Sequence, residues 1–417
     1  MFKNKFFYKK NLITHLVIAS IIPFLIWGPF LPDLIVSISA LFFLFYSFRN
    51  NDFFYFENKP FLIFLLFYII VSLISLQSDN IPLSIKSSLP YFRIGVFSCF
   101  IWYLIDRDKS ILAYFYYALI LCFSALVIDG YTQYFIEFNL LGIEISGIRV
   151  SSFFDEELIM GSYLSRLFPL LFALFLVKKK QKYEIYFIGL LFIFVDVLIF
   201  MSGERSSFFF LNLSTLFIII LIKEYQKFRL ITFIIAIIFI FVLSLNSSSL
   251  SHRMFKGPAE QMGFIESSKE PVIFSKMHDS HIRTAYKIFK DQPIFGHGPK
   301  MFRILCKDEK YATGKYPCST HPHNFYIQLL AETGIIGFLF LFSAFIYVVY
   351  IALRQFKSII LKQKRPLTDY QICLLAGILI SVWPFSPNGN FFHNWLMIVY
   401  SLPVGFYLQS IYSGKKL

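Results

Sequence analysis

We expect this chain to form an all-α integral membrane protein with about twelve transmembrane helices, because its apolar residues are both abundant and continuous. Hydrophobic residues make up 57% of the 417 residues, charged residues only 15%, and the mean hydropathy is +0.64. The apolar residues occur in runs of about the 20 residues that a helix needs to cross a bilayer. The runs lack the alternation of polar and apolar residues in transmembrane strands, so we do not expect a β-barrel.

The apolar runs follow one another along the sequence, which predicts a single polytopic membrane domain over residues 1–417. No repeat, soluble tail or flexible linker interrupts them. With ends placed to within about four residues, the predicted spans are 13–30, 31–48, 60–77, 89–105, 111–128, 158–177, 184–201, 205–222, 229–246, 325–353, 371–387 and 391–411.

The positive charges predict the orientation of these spans. One set of connecting segments carries 22 Lys and Arg residues, whereas the short segments on the opposite side carry only Lys86, Arg149 and Arg205. The positive-inside rule then places both termini in the cytoplasm. No cleavable signal peptide is expected, because the first apolar run continues directly into the second. The net charge of +14 is explained by this topology, so no nucleic-acid partner is expected.

Residues 247–324 form a polar segment between the ninth and tenth spans, which predicts one large loop on the outer side of the membrane. A smaller outer loop is predicted for residues 129–157. Because the polar segment concentrates titratable and cationic groups, we expect the chemistry to take place there. It contains six of the eight histidines, namely His252, His278, His281, His297, His321 and His323.

His321 and His323 flank a proline, so both rings are expected to project from extended chain. At neutral pH either histidine can accept a proton from a hydroxyl group and act as a general base. There are two alternatives. The two histidines could bind a metal ion, with His278 and His281 as further ligands, or they could have a purely structural role. No carboxylate stands beside the pair as a dependable third ligand, so no metal and no cofactor is predicted.

Three arginines, Arg93, Arg166 and Arg205, are expected in or at the ends of spans, where an arginine usually has a partner or a ligand. Arg205 either pairs with the adjacent Glu204 or binds phosphate, since a guanidinium matches two phosphate oxygens at once. Arg283, on a predicted helix of the polar segment, poses the same choice. Arg93 and Arg166 lie within spans and are either paired structural residues or a site for an anionic lipid headgroup.

Asn324, Gln328 and Glu332 recur every four residues on an otherwise apolar helix, which predicts one polar stripe supporting the site at headgroup level. Asn324 is the expected N-cap of that helix. Gly334 and Gly337 follow and permit a bend or a close approach of another element.

Two of the five cysteines, Cys306 and Cys318, lie in the polar segment. If the outer side is oxidising, a disulfide between them is expected to stabilise the fold by about 3 kcal/mol. Zinc binding is not favoured, because this spacing lacks the C-x2-C pattern of zinc sites.

Taken together, these motifs resemble the O-antigen ligase and polymerase superfamily. The segment 321–337, HPHNFYIQLLAETGIIG, is similar to its H-x-H-N-x3-Q-x3-E-x-G-x2-G signature. Upstream, Arg283 precedes a D-x-P-hydrophobic-x-G-x-G turn over 291–298. Arg205 in SGERSS and the stretch DGYTQ over 129–133 also resemble the family. The likeness covers the topology and the motifs between residues 129 and 337.

The resemblance implies a membrane glycosyltransferase of GT-C-like fold in the bacterial inner membrane, with its active site facing the periplasm. It implies a glycan donor linked to undecaprenyl diphosphate, a lipid A–core or other glycan acceptor, and no metal. Arg205 and Arg283 are then expected to bind the diphosphate. His323 is expected to be the base in an inverting transfer, with His321 as the other candidate.

The ligase branch is favoured, because one outer loop dominates whereas polymerases more often carry two sizeable outer loops. The alternatives are an O-antigen polymerase, a protein O-oligosaccharyltransferase and a flippase or other transporter of lipid-linked glycans. A transporter is expected to show internal repeats and polar groups near the bilayer midplane, and only Arg93 and Arg166 are candidates for the latter.

Overall fold

The computed structural model describes residues 12–178, 181–262, 264 and 274–413. Within these residues the chain is helical, with two isolated β-bridges and no β-strand, which confirms the all-α prediction. The charged residues at both ends of the sequence that entered the orientation argument, and Lys179 and Lys180, lie outside the described residues.

Twelve apolar helices and one amphipathic helix, α10, form most of the part of the chain that the structure describes. Shorter helical turns connect them. In chain order the helices are α1 (Leu12–Phe24), α2 (Phe30–Asn50), α3 (Lys59–Leu76), α4 (Ile81–Arg107), α5 (Ile111–Ile136), α6 (Met160–Val177), α7 (Lys182–Met201), α8 (Arg205–Leu221), α9 (Gln226–Asn246), α10 (Lys276–Asp291), α11 (Phe325–Ile360), α12 (Asp369–Ser381) and α13 (Asn394–Tyr412).

Among the described residues, nine helices are long and apolar enough to cross a membrane, as expected of a multi-pass membrane protein. Each predicted span falls on one apolar helix, but α1, α8 and α12 have only 10–17 residues. Helix α12 ends at Ser381, six residues before the predicted end, because Pro384 and Pro387 cannot continue a helix. The residues after Ser381 instead form a loop that enters the candidate site.

Helix α6 is the centre of the bundle, and 83% of its apolar stretch is buried inside the protein. It packs against α5, α7, α8, α12 and α13. The corresponding fractions for α9 and α11 are only 22% and 17%. These two helices present apolar side chains outward, as expected for lipid-facing helices.

Two arginines within the bundle have carboxylate partners. Arg93 donates to Asp33 at 2.6 Å, which supports the paired structural interpretation of that residue. Arg229 is completely buried and donates to both oxygens of Asp196, at 2.8 and 3.1 Å, and to Thr215. Arg229 entered the orientation argument as a loop charge, whereas the structure buries it in an ion pair.

Replacing Arg229 by methionine is expected to lower the free energy of unfolding by about 3–5 kcal/mol, because it leaves the Asp196 carboxylate buried and unpaired. The double variant Arg229→Met/Asp196→Leu removes both charges and should recover most of this loss. Thermal denaturation of the purified protein in detergent measures both effects. A single variant as stable as the double variant would contradict the role of the pair.

Candidate functional site

The polar segment is anchored on helix α11 by a small apolar cluster. Ala285 and Ile288 of α10 pack with Phe302, Cys306, Tyr311 and Ala331, and all six side chains are buried. Cys306 and Cys318 form the predicted disulfide, with their Cα atoms 5.1 Å apart. The segment is therefore fixed to the first turns of α11 at two places, through α10 and through the cross-linked loop.

A break in α11 receives the turn that follows α10. Gly334 has φ +64°, and a Cβ atom there would overlap the Ile294 carbonyl. Backbone bonds join the two elements, from His297 N to Ala331 O at 3.2 Å and from Gly298 N to the Glu332 carbonyl at 2.8 Å. Only glycine combines this backbone angle with such a close approach. The structure thus explains why the 291–298 turn and Gly334 of the 321–337 segment occur together: the turn packs against the backbone of Gly334.

The predicted polar stripe supports the site without lining it. Asn324 caps α11 by accepting hydrogen bonds from Tyr326 N and Ile327 N, and its amide group donates to Pro384 O at 2.8 Å. Gln328 donates to Glu332 and to Asn390, each at 2.9 Å. The stripe therefore holds the loop between α12 and α13 against α11.

Glu332 connects the stripe to the polar segment, because its carboxylate also accepts a hydrogen bond from Phe302 N at 3.3 Å. Gln328 accepts a further bond from Phe391 N at 2.8 Å. Both side chains are fully buried. Their removal would release the loop and the polar segment together.

These elements enclose a cavity of about 1060 Å³ between the N-terminal ends of α6 and α8, the polar segment and the loop after α12. Cationic side chains and imidazoles dominate its polar lining. They are Arg149, Arg166, Arg205, Arg253, Lys276, His278, His321 and His323.

Three of these arginines form a cluster around Ser202 and Gly203, hereafter the arginine cluster (Arg149, Arg205 and Arg253). Each uses its Nε atom to donate to a backbone carbonyl: Arg149 to Ser202 at 3.0 Å, Arg253 to Gly203 at 2.9 Å and Arg205 to Arg253 at 2.8 Å. These bonds fix the direction of the guanidinium groups. Burial, and then the charge of Arg253, lower the pKa of Arg149. This shift is expected for a buried cation beside another cation.

Arg149 is positioned by the DGYTQ motif at the end of α5. Asp129 accepts hydrogen bonds from Leu140 N at 2.8 Å and from the Ser152 hydroxyl at 2.6 Å. Gln133 accepts from Ser151 N and Ser152 N, at 2.9 and 2.7 Å. Both motif residues are fully buried. The predicted loop 129–157 is shorter than expected, because α5 continues to Ile136. Asp129 and Gln133 fold the connection after Ile136 back onto α5 and so place Arg149 at the cavity.

Glu204 does not pair with Arg205, contrary to the structural alternative drawn from the sequence. Its carboxylate accepts from Gly161 N at 2.6 Å and Ser162 N at 3.0 Å, at the N-terminus of α6. The Ser207 hydroxyl donates to it at 2.8 Å. Because Glu204 is occupied in this way, Arg205 donates instead to Gln261 at 3.1 Å and remains at the cavity wall.

Four imidazoles form a histidine cluster (His278, His281, His321 and His323), and three of them, His278, His321 and His323, line the same cavity. The ring centroids of His321 and His323 are 4.2 Å apart, and His323 lies 5.1 and 5.4 Å from His278 and His281. The Ser319 hydroxyl contacts Nε2 of His323 at 3.2 Å. His323 has φ +57°, a left-handed conformation that is uncommon for histidine and is often found at functional sites.

Burial lowers the pKa of all four imidazoles of the histidine cluster, which favours their neutral form. Burial, followed by His321, His278 and His281, lowers the pKa of His323 to about 3. Burial is also the first cause that lowers the pKa of His321 to about 4. A neutral imidazole can accept a proton. Within the described residues no group of three or more His, Cys, Asp or Glu side chains is arranged to hold a metal ion.

Arg283, the other predicted diphosphate ligand, does not line the cavity. Its side chain is 63% exposed and pairs with Asp279 at 2.7 Å. Lys276, which lines the cavity, lies about two helical turns earlier on the same face of α10. The structure therefore brings Arg205, His321 and His323 to one cavity and leaves Arg283 outside it.

Sequence reasoning missed Arg253 and Asn388, and it treated Arg149 only as a loop charge. Arg253 looks like one cation among many in the polar segment, and its direction depends on a helical turn over His252–Lys256. Asn388 accepts from Arg166 at 2.9 Å, and its backbone N–H donates to His323 O at 2.8 Å. The turn signal Pro-Asn-Gly-Asn after α12 was the one available hint.

Comparison with known proteins adds one finding. Residues 187–342 match the model of the family described as O-antigen ligase. A comparison with curated proteins finds no match. The matched region begins in α7 and ends in α11, and it contains Arg205, Arg253 and the histidine cluster. The resemblance drawn from the motifs is thereby confirmed: residues 187–342 of this multi-pass membrane protein are similar to the O-antigen ligase family.

Proposed function

We propose that this protein is an O-antigen ligase, which transfers a glycan from undecaprenyl diphosphate to a hydroxyl group of a lipid A–core acceptor at the periplasmic face of the inner membrane. The observation that carries the proposal is a single cavity lined both by the arginine cluster and by three imidazoles, those of His278, His321 and His323. Such a cavity suits two reactants: an anionic group, which the arginines can bind, and a hydroxyl nucleophile, whose proton a histidine can accept.

The arginine cluster binds the donor diphosphate and neutralises the charge that grows as the diphosphate leaves. Its fixed guanidinium groups supply the positive charge that a divalent ion supplies in many glycosyltransferases. Arg283 contacts the donor outside the cavity and contributes less. A diphosphate is already a good leaving group, so the site needs no pair of carboxylates of the glycosidase kind.

His323 accepts the proton of the acceptor hydroxyl, and the resulting oxygen attacks the anomeric carbon from the side opposite the diphosphate. The configuration at that carbon is therefore inverted. Because the pKa of His323 is lowered, the residue is neutral before substrates bind. The arriving diphosphate then raises its pKa through its negative charge, which strengthens the base when it is needed.

This proposal predicts a pH profile. A lowered pKa keeps His323 neutral well below pH 6.5, so kcat/KM should stay nearly flat between about pH 6 and pH 8 and fall only at lower pH. His278→Gln removes a neighbouring imidazole and should move the acidic limb upward. Initial rates across this range test both statements. A rate that rises as the pH falls below 6.5 would instead make a protonated histidine the active form.

Cells that lack the gene, complemented with the wild type or with His323→Ala, distinguish the ligase from its relatives. A ligase defect leaves lipid A–core without polymer while long glycan accumulates on the carrier lipid. A polymerase defect instead leaves a single repeat unit on the core. Normal lipopolysaccharide in the deleted cells would contradict both and favour a protein acceptor.

Transport of a lipid-linked glycan is the second candidate class, because Arg166 is buried within the bundle. A flippase moves its substrate across the bilayer without forming a glycosidic bond. Proteoliposomes that carry donor and acceptor on the same side of the membrane therefore separate the two classes. The ligase gives a new glycolipid and free undecaprenyl diphosphate there.

A further inference from the structure

Arg166 of α6 is a buried cation whose only partners among the described residues are neutral. It is 4% exposed and lines the cavity. Its guanidinium donates to the Asn388 side-chain oxygen at 2.9 Å and to the Tyr400 hydroxyl at 3.1 Å. It lies over the ring of Phe210 at 4.9 Å. Its third nitrogen, Nη1, has no hydrogen-bond partner in the part of the chain that the structure describes.

Arg93 and Arg229, the two arginines that pair with carboxylates within the bundle, show what a structural arginine looks like in this protein. Arg93 has Asp33 at 2.6 Å, and Arg229 has Asp196 at 2.8 Å. A buried charge without a counter-charge costs several kcal/mol, so such groups are usually paired or bind a ligand. Arg166 departs from this pattern, and it does so at the wall of a cavity that is large enough for a substrate.

The position of Arg166 indicates which of the two substrates, the donor or the acceptor, carries an anionic group that pairs with it. Asn388 links it to the histidine cluster, because its side chain accepts from Arg166 while its backbone N–H donates to His323 O at 2.8 Å. In an inverting transfer the acceptor oxygen and the diphosphate lie on opposite sides of the anomeric carbon. If His323 is the base, the group beside it belongs to the acceptor.

We propose that Arg166 is a specificity-determining residue that binds an acidic group of the acceptor, a phosphate or a carboxylate close to the reacting hydroxyl. This inference rests on the proposed function. It assigns the arginine cluster to the donor, and Arg166 and the histidines to the acceptor. The enzyme then selects a negatively charged acceptor over a neutral one of the same size.

The test uses purified protein in phosphatidylcholine vesicles, with one lipid-diphosphate donor and two acceptors. These are the core glycolipid and the same glycolipid after phosphatase treatment and methyl esterification of its carboxylates. The wild type should show a lower KM for the acidic acceptor. Arg166→Gln should raise that KM about 10- to 100-fold, as expected for a lost hydrogen bond to a charged group. The KM for the neutral acceptor and for the donor should not change, and Arg166→Lys should recover part of the loss.

Asn388→Asp provides a second variant that keeps Arg166 in place. It puts a carboxylate where the neutral amide oxygen now lies, 2.9 Å from the guanidinium. The internal anion should replace that of the acceptor and abolish the preference for the acidic glycolipid.

A wild type that uses both acceptors equally would overturn the inference, whether or not the variants fold. A raised donor KM in Arg166→Gln, with an unchanged acceptor KM, would do the same and assign Arg166 to the diphosphate. A wild type that transfers glycan to neither acceptor would instead contradict the proposed function itself.

Discussion

Replacing Arg205 by alanine is expected to reduce glycan transfer by about two to three orders of magnitude, as does the loss of a fixed group that stabilises developing charge. Arg205 begins α8, and its Nε atom is held by the Arg253 carbonyl at 2.8 Å. The guanidinium is therefore oriented before the donor arrives. The measurement is the initial rate of transfer by purified protein, with the thermal denaturation midpoint as a check on folding.

Three further variants make this result specific to the arginine cluster. Arg253→Ala and Arg149→Ala should also reduce transfer strongly, because their Nε atoms are fixed in the same way. Arg283→Ala should have a smaller effect, because the side chain is 63% exposed and paired with Asp279. If the Arg149 and Arg253 variants were fully active and the Arg283 variant were inactive, the diphosphate would bind at α10 and not in the cavity.

Replacing His323 by alanine is expected to reduce transfer by at least about two orders of magnitude, the usual contribution of a general base. The loss should appear in kcat, since the imidazole acts on the proton in the transition state. Rates measured at saturating donor and acceptor test this. Unchanged transfer would remove His323 from the mechanism.

The backbone at His323 requires a matched control. Its φ of +57° is tolerated better by asparagine than by alanine, so His323→Asn separates a lost base from a strained backbone. Both variants should be equally inactive if the imidazole is the base. His321→Ala decides between the two candidates, since the rings lie 4.2 Å apart. A larger loss in His321→Ala than in His323→Ala would assign the base to His321.

The existence of the helices could be read from the sequence, because each predicted span is a continuous apolar run. The lengths of the helices were harder to predict from the sequence. Helix α12 stops before Pro384, and the polar residues after it turn into the cavity rather than into lipid. Arg229 was also misjudged, because its partner Asp196 lies on another helix, 33 residues earlier. A single sequence carries no direct record of such pairs.

The part of the candidate site whose residues are close neighbours in the chain could be predicted from the sequence. His321, His323 and the cap Asn324 form one short motif, and Arg205 stands at the beginning of a helix. Arg149, Arg253 and Asn388 come from three separate connections and meet only in the folded protein. Their direction is set by long-range bonds, such as those from Arg149 and Arg253 to the carbonyls of residues 202 and 203.

The most direct test of the account is transfer by the purified protein in liposomes that contain undecaprenyl-diphosphate glycan and a lipid A–core acceptor, with EDTA present. Mass spectrometry of the products should find the glycan on the acceptor, an inverted anomeric linkage and one undecaprenyl diphosphate released for each bond formed. His323→Asn should give none of these products. A glycan that stays on its carrier lipid, or crosses the bilayer without a new glycosidic bond, would contradict the assignment of a glycosyl transfer to this cavity.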